Sequence, residues 1–104
     1  MSETILEVRR LTKKKNSGSL CTVIPSTCMR VADLKIGDLV SHEQVKDHII
    51  IRKAEKGFLR ISTDRKITVP FRIARNLFNN RDNIGFYNDD QGNLCYTKVT
   101  KATI

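Results

Sequence analysis

Long apolar runs are missing from this chain of 104 residues. None approaches the roughly 18 residues that a membrane-crossing helix needs. The start, MSETILEVRR, lacks the apolar stretch of a secretory leader. The expectation is a cytoplasmic protein with no membrane partner. Cysteine is scarce and odd in number. Cys21, Cys28 and Cys95 are widely spaced, which suits a reducing compartment and small core residues better than a disulfide framework. Six residues separate Cys21 from Cys28, more than the two to four of a zinc knuckle. His42 and His48 do not supply a matching second pair, so no metal is expected. The chain also has no Ser, His and Asp set, no phosphate-cradling glycine loop and no paired-carboxylate signal. Neither catalysis nor a cofactor is expected, and so small a chain without a second layer of helices leaves little room for a pocket.

Positive charge is what the chain has in excess. Its 19 Lys and Arg outnumber 11 Asp and Glu, giving a formal net charge of +8. On one small domain this points to a polyanionic partner, nucleic acid ahead of an anionic membrane surface. Charged residues at 29% and hydrophobic ones at 39% describe a folded protein with a modest core.

There are only two prolines, Pro25 and Pro70, and they expose an internal repeat at an offset of 45 residues. At that offset Arg30 falls on Arg75, Lys53 on Lys98, Cys28 on Ile73 and Leu39 on Ile84. TVIP at 22–25 overlies ITVP at 67–70, and HIIIRK at 48–53 overlies NLCYTK at 93–98. Each unit reads as strand, short helix, strand, strand. Cys21 to Ile24 and Ile67 to Val69 are apolar or β-branched runs, and the proline that follows cannot donate to a ladder, so each strand ends there. Proline is also well placed at a helix start. Beyond Pro70, Ile73 and Leu77 share one helical face, and beyond Pro25, Cys28 and Ala32 repeat the spacing. KIGDLV at 35–40 and RDNIGF at 81–86 carry turn residues ahead of a further strand. Hairpin turns are expected at Asn88–Asn93 and, with weaker chemistry, at Glu43–His48. The last strands are Ile49 to Arg52 and Leu94 to Val99, and an earlier strand opens each unit, Leu6 to Leu11 and Phe58 to Ile61. Phe71, Phe78, Phe86 and Tyr96 fall in apolar patterns and are expected in the core, Tyr87 beside a turn at the surface, and both histidines at the surface.

This order of strand, IP or VP, short helix, Gly-Asp, strand, turn, strand resembles the AbrB, SpoVT and MazE superfamily of swapped-hairpin DNA-binding domains. Gly37 and Asp38 follow Pro25 at the family's spacing of twelve and thirteen positions. The second unit has Asp82 and Asn83 there and departs from the pattern. The resemblance implies a mainly β fold with short helices, in which residues 1–104 form a single pseudo-dimeric domain. Two repeats, about 5–53 and 57–99, would intertwine as a pseudo-twofold, double-psi-like barrel. A unit of some 45 residues has too little interior to stand alone, and here its partner is covalently attached. Two chains could still associate as a homodimer.

The resemblance places DNA contacts in the loop before the IP strand and around the short helix. In the first unit these positions are Arg9, Arg10, Lys13, Lys14, Lys15 and Arg30; in the second they are Arg60, Arg65, Lys66, Arg72 and Arg75. Clustered Lys and Arg release counterions from phosphates, and Arg can grip guanine with two hydrogen bonds. Arg60, Arg65, Arg72 and Arg75 are therefore the candidates for base reading, and the lysine run supplies charge. A repressor of transcription acting on double-stranded DNA is the leading expectation. An antitoxin that binds its operator and a toxin protein is the alternative. It ranks second because MazE-like antitoxins carry an acidic or flexible tail, whereas KVTKATI ends a few residues beyond the last strand.

Overall fold

Pro25 and Pro70 each close a strand and open a helix in the computed structural model, which describes residues 5–15, 18–57 and 59–99. Eight strands and two helices follow one another: β1 (Glu7–Arg10), β2 (Thr12–Lys13), β3 (Leu20–Val23), α1 (Ser26–Val31), β4 (Val40–Val45), β5 (His48–Lys53), β6 (Lys66–Thr68), α2 (Phe71–Leu77), β7 (Asn83–Asn88) and β8 (Leu94–Lys98). Each proline sits just before its helix in an extended conformation. Its carbonyl accepts the first helical bonds, from Met29 N at 3.1 Å and from Ala74 N at 2.9 Å. No side chain caps either helix. Helices of six and seven residues are too short to persist alone, so they depend on burying Cys28 and Met29 in α1 and Ile73 and Ala74 in α2. Among the described residues no helix is long and apolar enough to cross a membrane.

The strands make two antiparallel sheets, ordered β1-β7-β8-β5-β4 and β2-β3-β6. The expected single barrel is not closed. Both sheets take strands from both halves of the sequence. In the small sheet Thr22 faces Ile67, its counterpart at the 45-residue offset, flanked by Cys21 opposite Thr68 and Val23 opposite Lys66. In the large sheet Ile50 likewise faces its counterpart Cys95, flanked by Ile49 opposite Tyr96 and Ile51 opposite Leu94. These two inter-half ladders thus map onto themselves when the halves are exchanged, whereas the third, β1 on β7, does not. Loop bonds obey the same exchange. Leu11 N donates to Asp82 O at 2.8 Å and Arg81 N to Leu11 O at 3.1 Å; in the other half Ile61 N donates to Asp38 O at 3.0 Å and Gly37 N to Ile61 O at 2.8 Å. The opening strand of the second half is represented by a bridge from Arg60 to Leu39, and Phe58 lies outside the described residues.

One core, including Leu11, Ile24, Ile49, Ile61, Ile73, Ile84 and Phe86, joins the two sheets and the helices. Several expectations are corrected here. Phe71 is 74% exposed while Phe78, Phe86 and Tyr96 are buried, because Phe71 is the first helical residue and precedes the inward face. Tyr87 is buried, and His42 is only 7% exposed, with its ring edge against Tyr96 at 6.1 Å between centroids. The polar run at Glu43–His48 is not all turn. β4 continues to Val45, because an edge strand tolerates polar residues on its free side, and only Lys46 and Asp47 connect it to β5.

The repeat also slips by one residue where the sequence reads it as continuous. Val40 and Ile84, not Leu39 and Ile84, are the equivalent buried residues, since they face Lys53 and Lys98. Asp38 and Asp82 are equivalent in the same way. Their carboxylates accept from Lys35 N at 2.8 Å and Asn79 N at 2.7 Å, and they pair with Lys53 at 3.8 Å and Lys98 at 3.3 Å. Arg81 therefore occupies the place of Gly37, with φ of 74° against 93°. That correction restores the turn of the first half to the second, with an arginine where the left-handed backbone favours glycine. Gly37→Ala, with open space around the added carbon, is expected to lower stability by about 1 kcal/mol, and Arg81→Gly to raise it by up to about 1 kcal/mol. Urea midpoints at unchanged slope will check both signs.

Candidate nucleic-acid interface

Two clefts flank the small sheet, each formed where a helix of one half meets a hairpin loop of the other. The hairpins close with similar backbone bonds, the first around a loop one residue longer. Lys14 N donates to Ser19 O at 2.8 Å and Gly18 N to Lys14 O at 2.9 Å, while Ser62 N donates to Lys66 O at 3.1 Å and Arg65 N to Ser62 O at 2.9 Å. Gly18 and Arg65 close these loops at φ of 73° and 62°. The first cleft, of about 470 Å³, is lined by Met29, Leu34 and Ile36 and carries Arg30, Lys35 and Arg65 with Asp33. The second, of about 200 Å³, lies between Lys13 and the Gly18–Leu20 segment on one side and Phe71, Arg75 and Phe78 on the other. Among the described residues no carboxylate lines it.

The predicted basic residues divide accordingly. Arg30 and Arg65 meet in the first cleft, and Lys13 and Arg75 in the second. The Arg65 Nε is buried without a hydrogen-bond partner among the described residues. Lys14 and Lys15 are exposed on the first loop, whose Asn16 and Ser17 lie outside the described residues. Lys66 is exposed at the second loop and pairs with Asp64 at 3.8 Å. The Ser62 hydroxyl, first among several partners, holds the Asp64 carboxyl below its ordinary range. Arg60 is exposed, yet its Nη1 donates to Gly37 O at 2.6 Å, so it braces the turn of the other half. Arg9 and Arg10 sit on β1 in the large sheet, where Arg9 pairs with Glu7. Neither lines a cleft. Arg72 is exposed on α2, near enough to His42 to oppose its protonation. Asp33 pairs with Lys53 at 3.8 Å.

Among the cleft residues that sequence reasoning missed are the polar turn residues Lys35, Asn79 and Asn80. Lys35 joins the first cleft because the chain turns back after α1. Asn79 and Asn80 join the second from the equivalent turn. Their signal was the polar segment that follows each helix at a repeat position. Among the described residues no three His, Cys, Asp or Glu side chains cluster as metal ligands. Compared with protein-family models, curated proteins and solved structures, the chain matches none of them.

Proposed function

We propose that this chain is a sequence-specific double-stranded DNA-binding regulator, a repressor of the AbrB type with both swapped-hairpin units in one polypeptide. The observation that carries the reading is the pair of clefts. Each sets an arginine of a short helix beside a cation from the hairpin of the other half, on a chain of net charge +8. The reciprocal bonds of Leu11 and Ile61 to the opposite turns support the swapped arrangement. So does a radius of gyration of 12.9 Å, since a single compact body of this length is expected near 13 Å. Lys13, Lys14, Lys15 and Lys66 are suited to phosphates, and Arg30, Arg65 and Arg75 to base edges.

The test is affinity for duplex DNA from the region upstream of the coding sequence and for a scrambled duplex, over a salt series. Binding to the upstream duplex at least about a hundredfold tighter, with a steep salt slope, is the expected result. Arg65→Ala and Arg75→Ala should each weaken the specific complex by about tenfold or more, a loss of about 1–3 kcal/mol. Weak and equal binding to both duplexes would overturn the reading.

A further inference from the structure

Phe71 stands apart from every other apolar side chain described. The remaining large exposed hydrophobic residues range from 37% to 56% exposure, while Phe71 reaches 74%. It opens α2 at the mouth of the second cleft, among Lys13, Arg72 and Arg75. The Arg75 guanidinium carbon lies 5.8 Å from its ring centroid, a cation–π contact that holds ring and guanidinium side by side. A core role is excluded by the exposure. The basic surroundings select an anionic partner over an apolar protein face. The equivalent position in the first half, one residue after Pro25, is Ser26, which lines the first cleft.

We propose that Phe71 reads the 5-methyl group of a thymine, next to a guanine gripped by Arg75, and that it does so in one half-site only. This rests on the DNA-binding reading above and deepens it. In the major groove thymine is distinguished by its methyl group, for which an apolar side chain is the fitting contact, and guanine by the O6 and N7 acceptors, for which arginine is the fitting donor. A stacked Phe–Arg pair offers both at neighbouring positions. Ser26 beside Arg30 offers the arginine without the apolar surface. The preferred duplex is then unsymmetrical, with a methyl-dependent step on the α2 side.

The experiment starts from the tightest duplex that the wild-type protein recovers from a randomised pool, with each thymine replaced in turn by deoxyuridine, which removes only the methyl group. The wild type should lose about three- to tenfold in affinity at one thymine of one half-site. Phe71→Ser should bind with an unchanged salt slope, because no charge is removed, and should ignore that replacement. Ser26→Phe should acquire sensitivity in the other half-site. Equal sensitivity of wild type and Phe71→Ser, or insensitivity of both, overturns the inference while leaving the DNA reading intact. So does a loss of DNA bending in Phe71→Ser without any effect of deoxyuridine, which would make the ring a wedge between bases. A pool that yields no enriched duplex overturns the DNA reading itself, and this inference with it. Circular dichroism of Phe71→Ser should match the wild type, since the ring lies outside the core.

Discussion

Lowering the pH through the window from 6.5 to about 4 is expected to remove roughly 3 kcal/mol of folding stability through one side chain, His42. Burial pushes its imidazole down from the ordinary 6.5 to about 4, and the positive charge of Arg72 adds to the effect. The unfolded chain therefore takes up a proton at a pH where the folded chain refuses it. The stability that His42 contributes as a neutral ring is complete above 6.5 and falls away as the pH drops towards 4. Asp64 and Asp89, whose carboxyls lie below their usual 3.8, add a loss of their own only from about pH 5 downwards, as the unfolded chain begins to protonate them. Neither His42 nitrogen has a hydrogen-bond partner among the described residues, and the neighbouring Tyr96 hydroxyl is likewise buried and unpartnered. His42→Phe consequently keeps the ring contact and gives up no hydrogen bond. Urea unfolding at intervals of half a pH unit should show a profile for His42→Phe that is flat from pH 6.5 to about 5, where the wild type already slopes, and a shallower fall than the wild type below that. Parallel slopes would remove His42 as the cause.

Truncating Leu11 or Ile61 to alanine is expected to cost about 2–5 kcal/mol each and to loosen both halves of the chain at once. Both side chains are fully buried, and each residue makes two backbone bonds to a turn of the opposite half. Their removal opens a cavity where the halves are sewn together. If the halves fold as one body, each variant shows a single transition with the slope of the wild type, and the calorimetric and van't Hoff enthalpies agree. Two transitions, one with about half the slope, would mean that a half survives alone. Against a total stability of about 5–15 kcal/mol, the loss should be plain in a thermal scan as well.

Much of this architecture is legible in the letters because proline, apolar spacing and turn residues act locally. Pro25 and Pro70 mark strand ends by what they cannot donate, and Cys28 and Ile73 mark the inward helical faces. What escapes is decided by the other half of the chain. His42 sits among polar neighbours in sequence and Tyr87 ahead of a polar turn, and part of their cover comes from afar, Tyr96 against His42 and His48 against Tyr87. The one-residue slip at Arg81 is invisible because arginine carries no preference for positive φ, so Asp82 and Asn83 are aligned with Gly37 and Asp38 when Arg81 and Asp82 are the true equivalents. For the clefts, Arg30 and Arg75 are legible from charge at a shared repeat position, and Lys13 and Arg65 from charge in the loop before each IP or VP strand. Arg9, Arg10 and Arg60 carry the same charge, but strand pairing and a backbone bond commit them elsewhere.

Thr22 opposite Ile67 and Ile50 opposite Cys95 mark where the exchange of halves maps each ladder onto itself. In an assembly of two identical chains, a residue on such an axis meets its own copy. Any enlargement is then doubled at one spot, and a hydroxyl must accommodate a hydroxyl. Joining the halves in one polypeptide lifts that restriction. A polar threonine can lie against isoleucine, and a bulky isoleucine against a small thiol. The seam between the halves is thus free to vary one side at a time, and a single mutation can make the molecule lopsided without asking the same change of the other side.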